Sequence, residues 1–87
     1  MNEARRDQII LTLLDSLRLC LNGQCRANIL KPAVDMQLRP STLASEFDDA
    51  VKHAEAQGWI TGIRPSLGGV IWQLTDAGQG VLLNARA

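Results

Sequence analysis

Residues 55–83, "EAQGWITGIRPSLGGVIWQLTDAGQGVLL", decide how the chain folds. A helix is predicted to stop at Gly58, because glycine accepts the left-handed conformation that closes a helix. Two runs rich in β-branched and aromatic residues follow, Trp59 to Ile63 and Val70 to Leu74. Between them "RPSLGG" supplies the proline and paired glycine of a hairpin loop. Thr75 is then placed to cap a last helix containing Val81, Leu82 and Leu83.

Upstream of this stretch the apolar spacing is helical. Ile9, Ile10, Leu13, Leu14, Leu17, Cys20 and Leu21 fall on one broad stripe, with Asn2 and Asn22-Gly23 as boundaries of a first helix. Leu11 and Leu19 lie off that stripe, which fits scattered surface leucines, contact with the C-terminal helix, or a subunit interface. Residues 24–34, "QCRANILKPAV", predict a shorter second helix with Cys25, Ile29, Leu30 and Val34 inward. Pro32 lacks a backbone donor and crowds the preceding turn, so this helix either ends near Leu30 or gives way to a second short turn at Pro32. "DMQLRPS" reads as a connection, since Pro40 turns Arg39 away from helical angles. A third helix places Leu43, Phe47, Ala50, Val51 and Ala54 on one inner face. Its N-cap is Ser45 or Ser41, with Glu46, Asp48 and Asp49 near the positive end of the helix dipole. The expected fold is a single domain over residues 1–87, mainly α with a two-stranded β-hairpin, an α+β chain in the order helix, helix, helix, strand, strand, helix.

Composition bounds the function classes. The 87 residues are 46% hydrophobic and 21% charged, which is ordinary globular usage, and the length allows one small core. Nine Lys and Arg balance nine Asp and Glu, so any attraction to a polyanion has to be local. The two cysteines, Cys20 and Cys25, are too few for a secreted disulfide framework, and the expected compartment is a reducing cytoplasm. Asp15 and Arg18 interrupt the first apolar run, so neither a signal peptide nor a membrane span is expected.

The run "AVKHAEAQGWI", then a hairpin, then "WQLTDAG", resembles the third helix, wing and closing helix of bacterial winged helix-turn-helix proteins. Ala54, Gly58, Trp59, Ile60, Leu74, Thr75, Asp76, Ala77 and Gly78 carry the likeness, which covers the C-terminal half of the chain. It implies a winged-helix fold and duplex DNA binding, with the third helix in the major groove and the wing near the minor groove or the phosphates. A bacterial or phage-type transcriptional regulator is the corresponding expectation, dimeric through the first and last helices.

The charges qualify that expectation. With Phe47, Val51 and Ala54 inward, the third helix presents Ser45, Asp48, Asp49, Lys52, Glu55 and Ala56 outward, and its carboxylates would meet phosphate repulsion in a major groove. The residues suited to DNA are Arg39, Ser41, Thr42 and Ser45 around the start of that helix, Arg26 and Lys31 on the second, Lys52 on the third, and Arg64 at the base of the wing. The wing tip, Ser66 to Gly69, carries no charge. The alternative is a protein-contact module whose acidic face, Asp48, Asp49 and Glu55, meets a basic partner. Catalysis, a cofactor and a metal are not expected: His53 is the only histidine, Cys20 and Cys25 lack CxxC spacing, and "GQG" at 78–80 lacks the context of a phosphate loop. Trp59 and Trp72, at the ends of paired strands, read as core.

Overall fold

The structure, a computed structural model, describes residues 3–64 and 69–86. Among these residues the elements run α1 (Glu3–Leu19), β1 (Gln24–Arg26), α2 (Ala27–Gln37), α3 (Ala44–Ala56), β2 (Ile60–Ile63), β3 (Ile71–Leu74) and α4 (Asp76–Arg86), with a 3₁₀ turn at Leu21–Gly23. The chain is therefore mainly helical with a small antiparallel sheet, an α+β architecture. The expected boundary Asn2 and the expected wing tip Ser66 to Gly68 lie outside the described residues.

Helix α1 is the hub. Ile9, Leu13, Leu14 and Leu17 are completely buried, and the helix lies against α2, α3, α4 and β3. Each such side chain contributes about 1.5–3 kcal/mol by leaving water. Helix α1 stops at Leu19, and the chain reverses through Asn22 (φ 59°) and Gly23 (φ 67°), the pair expected to punctuate it. From α3, Phe47, Ala50, Val51 and Ala54 enter the same core, as their spacing predicts.

Several local expectations are corrected. The sheet has three strands in the order β1-β3-β2, so the hairpin is not alone. Residues 24–26, assigned above to the second helix, pair instead with β3: Cys25 faces Trp72, Gln24 faces Gln73 and Arg26 faces Ile71. Polar, apolar, polar alternation suits this short strand, since only Cys25 needs burial. Helix α2 begins after Arg26 and runs through Pro32 to Gln37, three turns with Leu30 and Val34 fully buried against α1. That packing outweighs the missing donor of Pro32, whose usual helical acceptor would be the Asn28 carbonyl four residues back. Ile29, expected inward, is 55% exposed, because helical spacing sets it about 100° from Leu30 and still further from Val34, the two residues that define the buried face. Leu43, expected on the inner face of α3, is 66% exposed and is itself the N-cap, in place of Ser45 or Ser41. The Glu46 carboxylate accepts the Leu43 N–H at 2.9 Å, the reciprocal half of a capping box, while the first-turn amide that a serine was expected to engage receives no side-chain cap.

The joint between α3, the sheet and α4 explains the "LTDAG" pattern. Gly58 (φ 78°) closes α3 by donating to the Glu55 carbonyl while Trp59 N–H reaches Ala54, both at 3.0 Å. Thr75 N–H then donates to the Trp59 carbonyl at 3.1 Å, and the Thr75 hydroxyl donates to the Gly58 carbonyl at 2.6 Å. The same hydroxyl oxygen accepts the Gly78 N–H at 3.1 Å, the N-cap bond of α4. Gly78 has no room for a side chain: a Cβ there would sit inside the van der Waals shell of the Trp59 carbonyl oxygen and 2.8 Å from Leu74 Cδ1. Gly80, on the same helix, has nothing within 4 Å of that position.

Gly78→Ala is expected to destabilise the protein by about 2–4 kcal/mol, because backbone has to move. Gly80→Ala in the same helix should stabilise it by roughly 0.5–1 kcal/mol through helix propensity. Urea unfolding of the two variants beside the parent measures both.

Candidate nucleic-acid interface

The residues expected to touch DNA separate into two groups. Lys31, Arg39 and Thr42 belong to a closed network at the α2–α3 connection. The Asp35 carboxylate accepts the Thr42 N–H at 2.9 Å, the Thr42 hydroxyl at 2.7 Å and the Lys31 ammonium at 2.8 Å. Lys31 also donates to the Thr42 carbonyl at 3.1 Å, and Thr42 is only 6% exposed. Arg39 donates to the carbonyls of Asp35 and Leu38, capping the end of α2. Thr42 is thus corrected from a surface hydroxyl to a buried link, because α2 continues past Pro32 and brings Asp35 under it. Arg5 performs a similar service from α1: its guanidinium donates to the Pro40 carbonyl at 2.7 Å and pairs with Glu46 at 3.5 Å.

Burial alone would raise the Asp35 carboxyl, but the Lys31 ammonium and both Thr42 donors outweigh it and hold the group at about 2, below the usual 3.8. Glu46 is also lowered, first by the Leu43 N–H and then, against some desolvation, by Arg5.

The second group is free of such partners. Among the described residues, no acceptor or carboxylate engages Arg26, Lys52 or Arg64, and all three are exposed, as are Ser41 and Ser45. Arg26 and Arg64 lie at the same end of the sheet: Arg26 faces Ile71, Ile71 faces Ile63, and Arg64 follows Ile63, so strand alternation does not set it on the side of Arg26. Two strand spacings put Arg26 and Ile63 about 10 Å apart along this row. Arg26 is also the residue before α2, whose N-terminus has no side-chain cap. The outer face of α3 is as expected from its periodicity: Ser45, Asp48, Asp49, Lys52, Glu55 and Ala56 are exposed, and His53, half-buried, meets the edge of Trp59 at 5.9 Å between ring centres. Asp48, Asp49 and Glu55 have no cationic partner among the described residues.

The remaining chemistry-bearing side chains are engaged in the fold. Cys25 lies in the core, and burial together with the neighbouring Cys20 thiol pushes it up to about 11, so it stays protonated at neutral pH. Trp72 is 7% exposed and Trp59 packs half-buried on the same core. Among the described residues, no group of three or more His, Cys, Asp or Glu could hold a metal ion, and no helix is long and apolar enough to cross a membrane.

Sequence reasoning missed Gln24, Thr61 and Gln73, which the register aligns on the outer face of the sheet. Their alternation with inward residues was visible on β2 and β3, but β1 lacked a signal long enough to place Gln24. No protein-family model, no curated protein sequence and no solved structure matches the chain.

Asp35 has a depressed folded-state value, so the stability it contributes is complete above about pH 4 and is lost as pH falls through about 2. The side chain is 21% exposed, which limits this contribution to about 1–2 kcal/mol. Asp35→Asn should therefore be less stable than the parent at pH 6, with the gap narrowing by that amount at pH 2. Urea titrations at the two pH values read the difference.

Proposed function

We propose that this chain is a winged-helix domain that binds duplex DNA. The element order, with β1 joined to the β2–β3 hairpin and α3 ending at Gly58, supports that reading of the fold, as does the joint built from Leu74, Thr75 and Gly78. The observation that carries the function is that two cations with no partner among the described residues, Arg26 and Arg64, stand at the same end of the sheet, with Arg26 at the uncapped start of α2. Such a cluster suits phosphates, which account for most sequence-independent affinity. Ser41, Ser45 and Lys52 add exposed donors around α3. A role in transcriptional regulation, and a dimer formed through α1 and α4, belong to the same proposal; Leu19 and Leu83 are exposed on those helices.

One observation favours a second reading. Asp48, Asp49 and Glu55 stand exposed on α3 with only Lys52 among them, a surface that a basic protein would fit. Both readings meet in one experiment. Titration with mixed-sequence duplex DNA at low salt should give binding below about 100 μM, with a log–log salt slope of about −2 to −3 for three phosphate contacts. Asp48→Asn/Asp49→Asn should strengthen DNA binding by about three- to tenfold, since like-charge repulsion is removed. The same double substitution should weaken capture of a lysine-rich peptide if α3 serves a protein partner. Absence of DNA binding at about 100 μM eliminates the first reading.

A further inference from the structure

The two cysteines, which DNA binding leaves unused, meet at the joint between α1 and β1. Cys20 follows the last residue of α1; its N–H still reaches the Leu17 carbonyl at 3.0 Å, and its thiol donates to the Ser16 carbonyl at 3.2 Å. The chain then doubles back through Asn22 and Gly23, both at positive φ, and the Gly23 N–H returns to the Cys20 carbonyl at 3.0 Å. Strand β1 starts at once, and its middle residue, Cys25, enters the core beside its register partner Trp72. This reversal brings the two thiols into hydrogen-bonding contact. Their access to solvent differs. Cys25 is 7% exposed, whereas Cys20 is half-buried at the edge of the same core.

We propose that Cys20 and Cys25 form a reversible intramolecular disulfide, with Cys20 the entry point for a low-molecular-weight disulfide oxidant and Cys25 the resolving thiol. The pair has this chemistry whatever the chain binds. The Cys20 thiolate attacks one sulfur of the oxidant RSSR, forming a mixed disulfide on Cys20 and expelling RS⁻. The Cys25 thiol then loses its proton, and its sulfur attacks the Cys20 sulfur, closing the protein disulfide and expelling a second RS⁻. Two protein thiols are oxidised by two electrons, and the oxidant is reduced to two RSH that carry away both protons. Contact between the thiols favours this closure over a bond between two chains, because the resolving group is already in place. Burial sets the order of events: the oxidant reaches Cys20 and not Cys25, and Cys25, protonated at neutral pH, turns into a nucleophile slowly. Strand β1 has three residues and a single strand neighbour, so a covalent tie from its middle residue to the end of α1 reinforces a short ladder. The tie also restricts the unfolded chain, which favours the folded one.

The test is incubation of the reduced full chain with excess glutathione disulfide at about pH 8, where thiolate is available, read by intact mass and thiol labelling. The parent should lose both thiols together and the mass of two hydrogen atoms, carry no glutathione and form no covalent dimer; dithiothreitol should return both thiols. The oxidised parent should unfold at a urea concentration higher than the reduced parent by roughly 1–2 M, and the amides of β1 should exchange more slowly. Cys25→Ala should retain one glutathione on Cys20. Cys20→Ala should react about tenfold or more slowly than Cys25→Ala in the folded state and at a similar rate in urea, with circular dichroism as the control on folding. The proposal is overturned if the parent ends as a glutathione adduct or a disulfide-linked dimer, if both thiols stay free in the folded chain, or if the oxidised chain unfolds at lower urea than the reduced one. It also fails if folded Cys20→Ala reacts as fast as Cys25→Ala. The measurements on the parent decide the matter even where a cysteine variant does not fold.

Discussion

The geometry of the whole C-terminal half depends on the carbonyl oxygens of Gly58 and Trp59. Gly58 ends α3 in a left-handed turn, and the two carbonyls that follow receive the hydroxyl and the amide of Thr75. One threonine thereby fastens the exit of α3, the ladder between β2 and β3, and the first turn of α4. Gly78 allows α4 to approach the Trp59 backbone closely enough for this to happen. Because α3 and the sheet are held in fixed relation, the acidic outer surface of α3 and the acid-free face of the sheet are distinct surfaces with different partners open to them.

A second constraint acts at the α2–α3 connection and decides which cations remain available. Asp35 gathers Lys31 and both donors of Thr42, Arg39 turns back on the end of α2, and Arg5 holds the Pro40 carbonyl from α1. These groups fix the turn between two helices that otherwise touch little. The consequence for function is subtraction: a basic patch assembled from Arg26, Lys31, Arg39 and Arg64 loses its middle members and keeps Arg26 and Arg64, which the strand register brings to the same end of the sheet.

How much of this was legible depended on how far each signal reached along the chain. The burial of Ile9, Leu13, Leu14 and Leu17, and of Phe47, Val51 and Ala54, follows from periodicity sustained over several turns. The cap at Gly58 and the start of α4 at Thr75 follow from local chemistry that few other residues supply. The strand at Gln24–Arg26 was hidden because three residues are too short to show a period, and its partner lies more than forty positions away. Helix α2 was cut short by giving Pro32 its local effect without the burial of Leu30 and Val34 that opposes it. Lys31 and Thr42 were mistaken for surface groups because their shared partner, Asp35, comes within reach only once α2 extends to Gln37. The row Gln24–Gln73–Thr61 is likewise a product of register.

The strand order carries a consequence for how the protein comes to be folded. In the order β1-β3-β2 the central strand is the last in the chain, so neither outer strand has a hydrogen-bonding neighbour until Ile71–Leu74 arrives. During synthesis α1, α2 and α3 can gather around their shared leucines while both strands stay unpaired. The pairing of β2 with β3 is local, whereas that of β1 with β3 spans more than forty positions, so the Arg26 end of the sheet depends on a non-local contact.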